Sequence, residues 1–563
     1  MASVLLIRPL CEGDEPEFAE PLGIERLAGY LHAHGVDDVR VFDRRLYVEE
    51  RRAGAVGANA FGAGCIAADG MKFEARKAGV AGIAASRPNS MRLGAPETVD
   101  SAVDAPGFYD DVRAAYAENS GPTLIGLSLM TSADVPDARR IMSRLGAWWP
   151  DARFVAGGVF VTTAPDVAAL KLPKGVVLMR GEGEVQLLEL VRDASTRDDC
   201  GLQPASQFAQ DRSDRVASRR APSFPDDNAP QPALARPDTF ALQPNSPDEW
   251  AIPYRPNLER YARLRCAVNV QTSRGCPGAC AFCATPSLPR ELRRWAPRDE
   301  ALVLDEIQEA AERLMAAGFP PVFNFVDDDF GPLERLESFA EGLIARKLRI
   351  AFACEMRFAS LAGQSNLAER LAHLHDAGLT RVFFGIESLD PATHSDWKKP
   401  MDLKALPHVL ECFRTAGVSV QVGYILWHGA QTLRNAEREV DQLHEMGIYS
   451  HRAVLSRLIV FPGSALARGA LIDGSSLHVQ GALAGAPDSG GFEPMDLAAE
   501  EFHRRFSEAA SELTQEWTNL AIAEPYTSAE AFLSGDDADA RELRKRLAEV
   551  NEESYWLFKE MIS

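Results

Sequence analysis

The chain has 563 residues, of which 46% are hydrophobic and 25% charged, and a formal net charge of −21. This composition belongs to a globular protein with ample core, long enough for about three or four domains of ~150 residues. The acidic balance argues against wholesale binding of nucleic acid or an anionic membrane. No run reaches ~18 apolar residues, and nine scattered cysteines without a secretory leader point to a reducing cytoplasm rather than a disulfide framework.

The N-terminal region alternates short apolar runs with helical periods. Residues 4–7, 39–42 and 124–129 read as strands, and 22–34 as a helix with Leu27, Tyr30 and Leu31 on one face. A helix over 133–148 follows. Strand 153–156 leads into Gly157-Gly158, and strand 176–179 leads into Gly181-Glu-Gly-Glu184 and a helix through Leu190. Apolar strands separated by helices predict a buried parallel sheet in a Rossmann-like, doubly wound α/β domain spanning 1–199. Ligands of such sheets lie beyond the strands' carboxyl ends. Gly157, Gly158, Gly181 and Gly183 fall there, where a missing side chain admits a bulky flat ligand or simply makes a turn. Residues 44–120 interrupt the domain with a Gly/Ala-rich stretch, read as a binding loop or lid. Residues 200–255, rich in Pro, Asp, Ser and Gln, read as a linker.

A second alternation fills 256–465. Strand 267–272 runs into a cysteine loop, and helix 297–317 carries Val303, Ile307, Ala310 and Leu314 on one face and stops at Gly318. Strands at 322–326, 350–353, 381–384, 419–426 and 454–460 complete six βα units, the pattern of a partial (β/α)6 barrel whose site lies at the strands' C-terminal ends. The remaining residues, 466–563, read as helical. There Phe502, Phe506, Ala509, Leu513 and Trp517 form an apolar stripe, more a packed face than a cofactor box. This tail is a candidate cover for the cleft.

The most specific signal is Cys276-Pro-Gly-Ala-Cys280-Ala-Phe-Cys283. Three thiolates within eight residues make a soft-metal site able to hold three irons of a cubane, leaving the fourth iron open. The alternative is a zinc knuckle, for which no nearby fourth ligand is present. The other acidic runs are ambiguous alone. Asp327, Asp328 and Asp329 are a solvated turn, a magnesium site or a ligand contact, and Glu387 is a helix cap or a ligand contact.

Thr272-Ser-Arg-Gly-Cys276-Pro-x-x-Cys280-x-Phe-Cys283 resembles the cluster motif of radical S-adenosylmethionine (SAM) enzymes, in the form carried by their cobalamin-binding branch. Further positions resemble that family in order: Phe325-Val-Asp-Asp-Asp-Phe330, Glu355-Met-Arg357, Phe384-Gly-Ile-Glu387-Ser388, 422–429 and Phe461-Pro-Gly-Ser464. The resemblance implies a [4Fe-4S] cluster on Cys276, Cys280 and Cys283, which are also the catalytic residues. It implies SAM contacts at Asp328, Arg357, Glu387 and Ser388. After the fifth strand Trp427-His428-Gly-Ala-Gln-Thr432 departs from the family's pattern, so His428 either faces substrate or is structural. The stretches 21–31, 126–128, Gly157-Gly158 and 180–184 resemble the cobalamin-binding domain, which implies corrin contacts at Ser128, Thr131, Gly157, Gly158, Gly181, Glu182 and Gly183. The chain lacks the Asp-x-His-x-x-Gly run that supplies a histidine to cobalt.

What the resemblance implies is a cytoplasmic C-methyltransferase. A 5′-deoxyadenosyl radical activates a small-molecule carbon, methylcobalamin supplies the methyl group, and a flavodoxin or ferredoxin supplies electrons; neither nucleic acid nor membrane is a partner. The alternatives are a non-methylating rearrangement, ring contraction or oxidative cyclisation, an RNA-modifying methylthiotransferase, and a non-catalytic cofactor module. Dispersed Cys11, Cys65 and Cys200 give no second cluster for the RNA enzyme.

Overall fold

The computed structural model describes residues 3–11, 20–55, 107–116, 120–163, 165–196, 250–287, 293–460, 464–466, 491–492 and 496–563. Most of the Gly/Ala-rich stretch, residues 200–249 and 461–463 lie outside the described residues.

Strands β1 (Val4–Arg8), β2 (Val39–Asp43), β3 (Leu124–Ser128), β4 (Arg153–Gly157) and β5 (Val177–Leu178) form one sheet in the order β2-β1-β3-β4-β5. Every pair is parallel. Helices cover both faces, which is why the inner strands β1 and β3 are buried on consecutive residues while the edge strand β2 alternates. Helices α1 (Leu22–Ala33) and α5 (Glu184–Thr196) bury Ile24, Ala28, Leu187 and Val191 against Leu6 and Val155. Helices α2 (Arg44–Ala55), α3 (Phe108–Ala114) and α4 (Val135–Trp148) bury Tyr47, Phe108, Ile141 and Leu145 against Leu5 and Ile125 on the other face. Strand order reverses between β1 and β3, so a ligand crevice opens beyond their carboxyl ends.

The predicted insertion at 44–120 is therefore shorter than expected. Its two ends are core helices, with the Tyr47 and Phe108 rings 5.5 Å apart edge to face. The dense charge of Arg44-Arg-Leu-Tyr-Val-Glu-Glu conceals this in the sequence, because buried Arg44 is neutralised by Asp137, a partner 93 residues away.

The second sheet runs β12-β11-β10-β9-β6, all parallel, from β6 (Val268–Val270), β9 (Val322–Phe325), β10 (Ala351–Glu355), β11 (Leu379–Glu387) and β12 (Ser419–Tyr424). A short antiparallel pair, β7 (Ser273–Arg274) with β8 (Ala296–Pro297), flanks it. Phe323, Phe325, Phe352, Val382 and Phe384 face the surrounding helices, among them α6 (Glu300–Ala316), capped by Asp299. The opposite, inner face carries partly exposed Asn324, Arg381, Phe383 and Gln421. Period-two alternation thus leaves a polar, open barrel interior.

The sixth predicted strand, 454–460, is different. His451–Leu455 is a helix capped by the Ser450 hydroxyl, and the sixth position shrinks to one parallel bridge, Trp427 to Arg457. Strand β13 (Ile459–Val460) then pairs antiparallel with β14 (Gly491–Phe492). An apolar run of this length fits either state, and the cap decides it.

The tail forms α7 (Leu497–Ala509), α8 (Ser511–Ser534) and α9 (Ala538–Ile562). Tyr526 and Ala529 of α8 pack on Val322 and Ala351, at the amino ends of β9 and β10. On α9, Lys559 bonds Glu437 at 2.7 Å and Asp441 at 3.0 Å, and Tyr555 stacks on His444 at 3.8 Å. The described tail helices pack on the base and flank of the barrel, and His503, Trp517 and Asn551 also line a cavity along the last strand. No helix among the described residues is long and apolar enough to cross a membrane.

Residues 250–255 are not linker either. Tyr254 N–H donates to the Glu25 carbonyl at 2.9 Å, and a side chain at Gly29 would meet the Ile252 carbonyl at 2.0 Å. Buried Arg255 donates to Glu20 at 3.1 Å, Glu306 at 2.7 Å and the Asn269 carbonyl at 2.8 Å, stapling the first sheet's domain to the barrel.

Candidate active site between two sheets

Strand β6 delivers the chain to the mouth of the barrel, where buried Asp327 fixes it. One Asp327 oxygen accepts from the Thr272 and Ser273 amides at 2.8 and 2.6 Å, and the other accepts from the Thr272 hydroxyl at 2.7 Å. Burial pushes the Asp327 carboxyl up to about 6 against these bonds. Of the three predicted aspartates, Asp327 is therefore committed to the loop. Asp329 is committed too, accepting from the Gly331 and Arg357 amides at 3.2 Å each. Asp328 is exposed at the mouth.

The cysteine loop begins at Gly275, whose φ of +74° and 2.5 Å clearance from the Arg293 carbonyl exclude any side chain. Its backbone is held by Cys276 N–H to Arg293 at 3.2 Å, Ala281 N–H to Trp397 at 2.8 Å and Leu466 N–H to Ala281 at 3.0 Å. The Cys276 and Cys280 sulfurs flank Gly278, lying 3.3 and 3.7 Å from where its side chain would start. All three thiols are unpaired and partly exposed. Burial pushes the Cys276 and Cys280 thiols up, and in both cases the nearby Arg357 pulls the other way. Among the described residues no His, Cys, Asp or Glu group converges as a single-ion site. A structural zinc site needs four protein ligands, whereas this loop offers three soft thiols beside a cation, one for each of three cluster corners.

Glu387 ends β11 with a positive φ of 67°, a strained conformation for this residue. Its carboxylate accepts from Lys399 Nζ at 2.6 Å, and only a glycine at 385 leaves room, since a side chain there would come within 1.9 Å of Glu387 Oε1. Lys399 and Glu387 both act on the Cys280 thiol, so this pair borders the cluster loop. Ser388 is fully buried. Its hydroxyl donates to Glu439 at 3.1 Å and accepts from Asp390 N–H at 3.0 Å, so the structure spends it on the loop rather than presenting it to a ligand. His428 is buried edge-on to Trp397, centroids 5.0 Å apart. Sequence reasoning missed Lys399 and Trp397, which follow the fourth strand without a motif; the glycine at 385 is the one local hint that a side chain folds back there.

In the first domain, the Asp134 carboxylate accepts from the Met130 and Thr131 amides at 2.6 and 2.9 Å, shaping the turn that follows Ser128. A side chain at Gly158, φ +101°, would strike the Leu129 carbonyl at 2.4 Å, and one at Gly183 would strike Met179 Sδ at 2.8 Å. At both glycines the missing side chain lets neighbouring loops pack closely. Gly157 has nothing nearer than 3.5 Å. Met130 and Val159, 49% and 51% exposed, leave two large apolar side chains open at the carboxyl ends of β3 and β4. An open apolar ledge bordered by backbone, one strand along from the switch point, suits a flat corrin ring.

The two sheets meet at the cysteine loop. Arg274 is ion-paired with Glu182, and with Glu184 at 3.1 Å, and lies 3.9 Å over the Trp250 ring. Glu182, expected at the corrin, is thus turned toward the cluster loop. A cavity of about 1210 Å³ runs from Phe282 of that loop along Arg381, Phe383, Gln421 and Gly423 to the free edge of β12.

Comparisons with known proteins agree with this arrangement. Residues 270–431 match the radical SAM superfamily model and 89–191 match the B12 binding domain. The chain belongs to the radical SAM enzymes that carry a B12-binding domain, a family that uses a [4Fe-4S] cluster, SAM and cobalamin. Its particular relatives include the anaerobic magnesium-protoporphyrin IX monomethyl ester cyclase of Synechocystis sp., 26% identical over 48% of this chain and 48% of that protein. The cytidylyl-2-hydroxyethylphosphonate methyltransferase of Streptomyces wedmorensis is 22% identical over 64% of this chain and 68% of its own. The alignment thus spans about half the length of the cyclase. Among solved structures, the cobalamin-dependent radical SAM enzyme OxsB matches with a TM-score of 0.62 at 16% identity, covering 99% of this chain and 72% of that one. TsrM of Kitasatospora setae matches at 0.52 and 18%, covering 86% and 76%. These likenesses show a shared fold.

Proposed function

We propose that this chain is a cobalamin-dependent radical SAM methyltransferase that places a methyl group on a carbon of a small molecule. The observation that carries this reading is the juxtaposition made by Arg274: the three-thiol loop of one sheet is tied to the Gly181–Glu184 loop of the other. In this reading Cys276, Cys280 and Cys283 hold the cluster, while Asp328, Arg357 and Glu387 contact SAM. Ser128, Thr131, Gly157 and the apolar pair Met130 and Val159 border the corrin. Bound together, the groups supply one-electron cleavage of SAM and a methyl group deliverable to a substrate radical. The chain's own part is placement and exclusion of water. Arg357 and the Lys399–Glu387 pair set opposite charges at the mouth, and Phe282 and Phe383 give the 1210 Å³ cavity apolar walls beside polar Arg381 and Gln421. A ferredoxin or flavodoxin supplies the electrons, in a cytoplasmic setting.

A second reading, ring closure or rearrangement without methylation, is favoured by the cyclase among the relatives. Anaerobically reconstituted protein incubated with methyl-labelled SAM and candidate substrates separates the two. A labelled one-carbon mass gain supports methyl transfer; an unlabelled rearranged product supports the second reading. Cys→Ala at any one of Cys276, Cys280 or Cys283 should abolish deoxyadenosine formation. Retained formation with full iron content would refute the cluster assignment.

A further inference from the structure

The junction that carries the functional reading also suggests how its two cofactor sites influence each other. Two positions along the chain separate the cluster loop's first cysteine from a half-buried cation: Cys276, Gly275, Arg274. Gly275 has no freedom to absorb a displacement, because Arg293 and Arg294 backbone atoms lie 2.5–2.7 Å from where its side chain would begin. Arg274 is pinned on three sides, by Glu182, by Glu184 at 3.1 Å and by the face of buried Trp250. Arg26 of α1 stacks over the same Trp250 ring at 4.8 Å and bonds Gln271 of the barrel, so the junction is braced on both sides.

Beyond Glu182 the connection continues. The Gly181 amide donates to Thr162 Oγ1 at 2.9 Å, and that hydroxyl donates to the Gly158 carbonyl at 2.9 Å. Gly158 is locked onto Leu129 by its φ of +101° and directly precedes exposed Val159. An unbroken series of bonds therefore runs from the first thiol to the apolar ledge. The thiols are held more loosely: among the described residues the hydrogen bond to a cluster thiol is a 3.3 Å contact from the Gly278 amide to Cys276 Sγ. Order in the cysteine loop depends on what the thiols bind, and a rigid chain of partners transmits that order.

We propose that Arg274 is a positioning residue that couples the two sites, so that loading the cluster on Cys276, Cys280 and Cys283 tightens corrin binding at the Ser128–Val159 ledge, and corrin tightens the cluster by the same factor. The proposal rests on the functional reading above. Reciprocity is a thermodynamic requirement of any such coupling.

The test measures the dissociation constant for aquacobalamin by absorbance titration under anaerobic conditions. Cluster-loaded protein is compared with a Cys276→Ser/Cys280→Ser/Cys283→Ser form, each with wild-type Arg274, Arg274→Gln, Arg274→Lys and Glu182→Gln. In the wild-type background the loaded form should bind at least about five-fold more tightly. The ratio should fall to about one in Arg274→Gln and shrink in Glu182→Gln. Arg274→Lys, which keeps the charge but not the fork, should retain part of it. Equal constants in the two wild-type forms, or a ratio that survives both Arg274→Gln and Glu182→Gln, would overturn the coupling. Should Arg274→Gln not fold, Glu182→Gln tests the same bond from the other domain. Corrin bound with equal constants rejects the coupling alone, whereas no corrin bound in any form rejects the functional reading with it.

Discussion

Arg255→Leu removes the cation that staples the two domains, and its cost follows from the carboxylates it leaves behind. Arg255 serves Glu20 at 3.1 Å, Glu306 at 2.7 Å and, at 4.0 Å, Glu25. Glu306 keeps a second cation, Arg298 at 2.7 Å. Burial and the adjacent Glu20 already push Glu25 well up, toward its neutral form, so it loses little. Glu20 alone is stranded, keeping one amide donor, Asn269 at 3.0 Å. Breaking a buried pair costs about 3–5 kcal/mol, and one stranded carboxylate rather than three puts the expectation near the lower end, about 3 kcal/mol. The effect is also pH-dependent. Burial alone would raise the Glu306 carboxyl, but Arg255 and Arg298 outweigh it and hold it below 4.5. A depressed carboxyl contributes stability that is present above its unfolded value and lost as pH falls through the folded one. The gap between wild type and variant should therefore be full at pH 7 and narrow below about 4.5. Urea unfolding followed by tryptophan fluorescence reads the junction directly, because Trp250 is buried within it. A loss under about 1 kcal/mol at pH 7, or a gap that widens in acid, would refute the reasoning.

Gly158→Ala should lower corrin affinity and cost about 1–3 kcal/mol, since its side chain would meet the Leu129 carbonyl at 2.4 Å with φ at +101°; Gly157→Ala, with 3.5 Å of clearance, should be milder in the same titration. Burial lowers His451 from 6.5 to about 4, where it sits between Ser554 at 2.7 Å and Thr514 at 2.8 Å. Between pH 6.5 and 4 the unfolded state binds the extra proton, so the docking of the tail should weaken by about 1.4 kcal/mol per pH unit on acidification. Limited proteolysis of the tail from pH 7 to 5 checks this, and His451→Gln should flatten the slope.

The sequence by itself determined the chemistry-bearing loop and the alternation of both sheets. Thiol spacing and apolar strand runs are local, and their meaning survives without knowing the neighbours. It also put Glu387 and Arg357 at strand ends, where the structure has them bordering the cysteine loop. Only tertiary structure decided which polar groups are available. Three consecutive aspartates look alike in sequence, yet Asp327 and Asp329 are consumed by backbone amides and only Asp328 is exposed at the mouth. Lys399, Trp250 and the partner of Arg274 escaped detection because an ion pair or a stacked ring joins residues 12 to 92 positions apart. The same distance dependence explains the tail: its apolar stripe announces a packed helix, but burial is non-directional, so nothing in the stripe says that Tyr526 and Ala529 pack on Val322 and Ala351 at the base while His503 and Trp517 line the cavity.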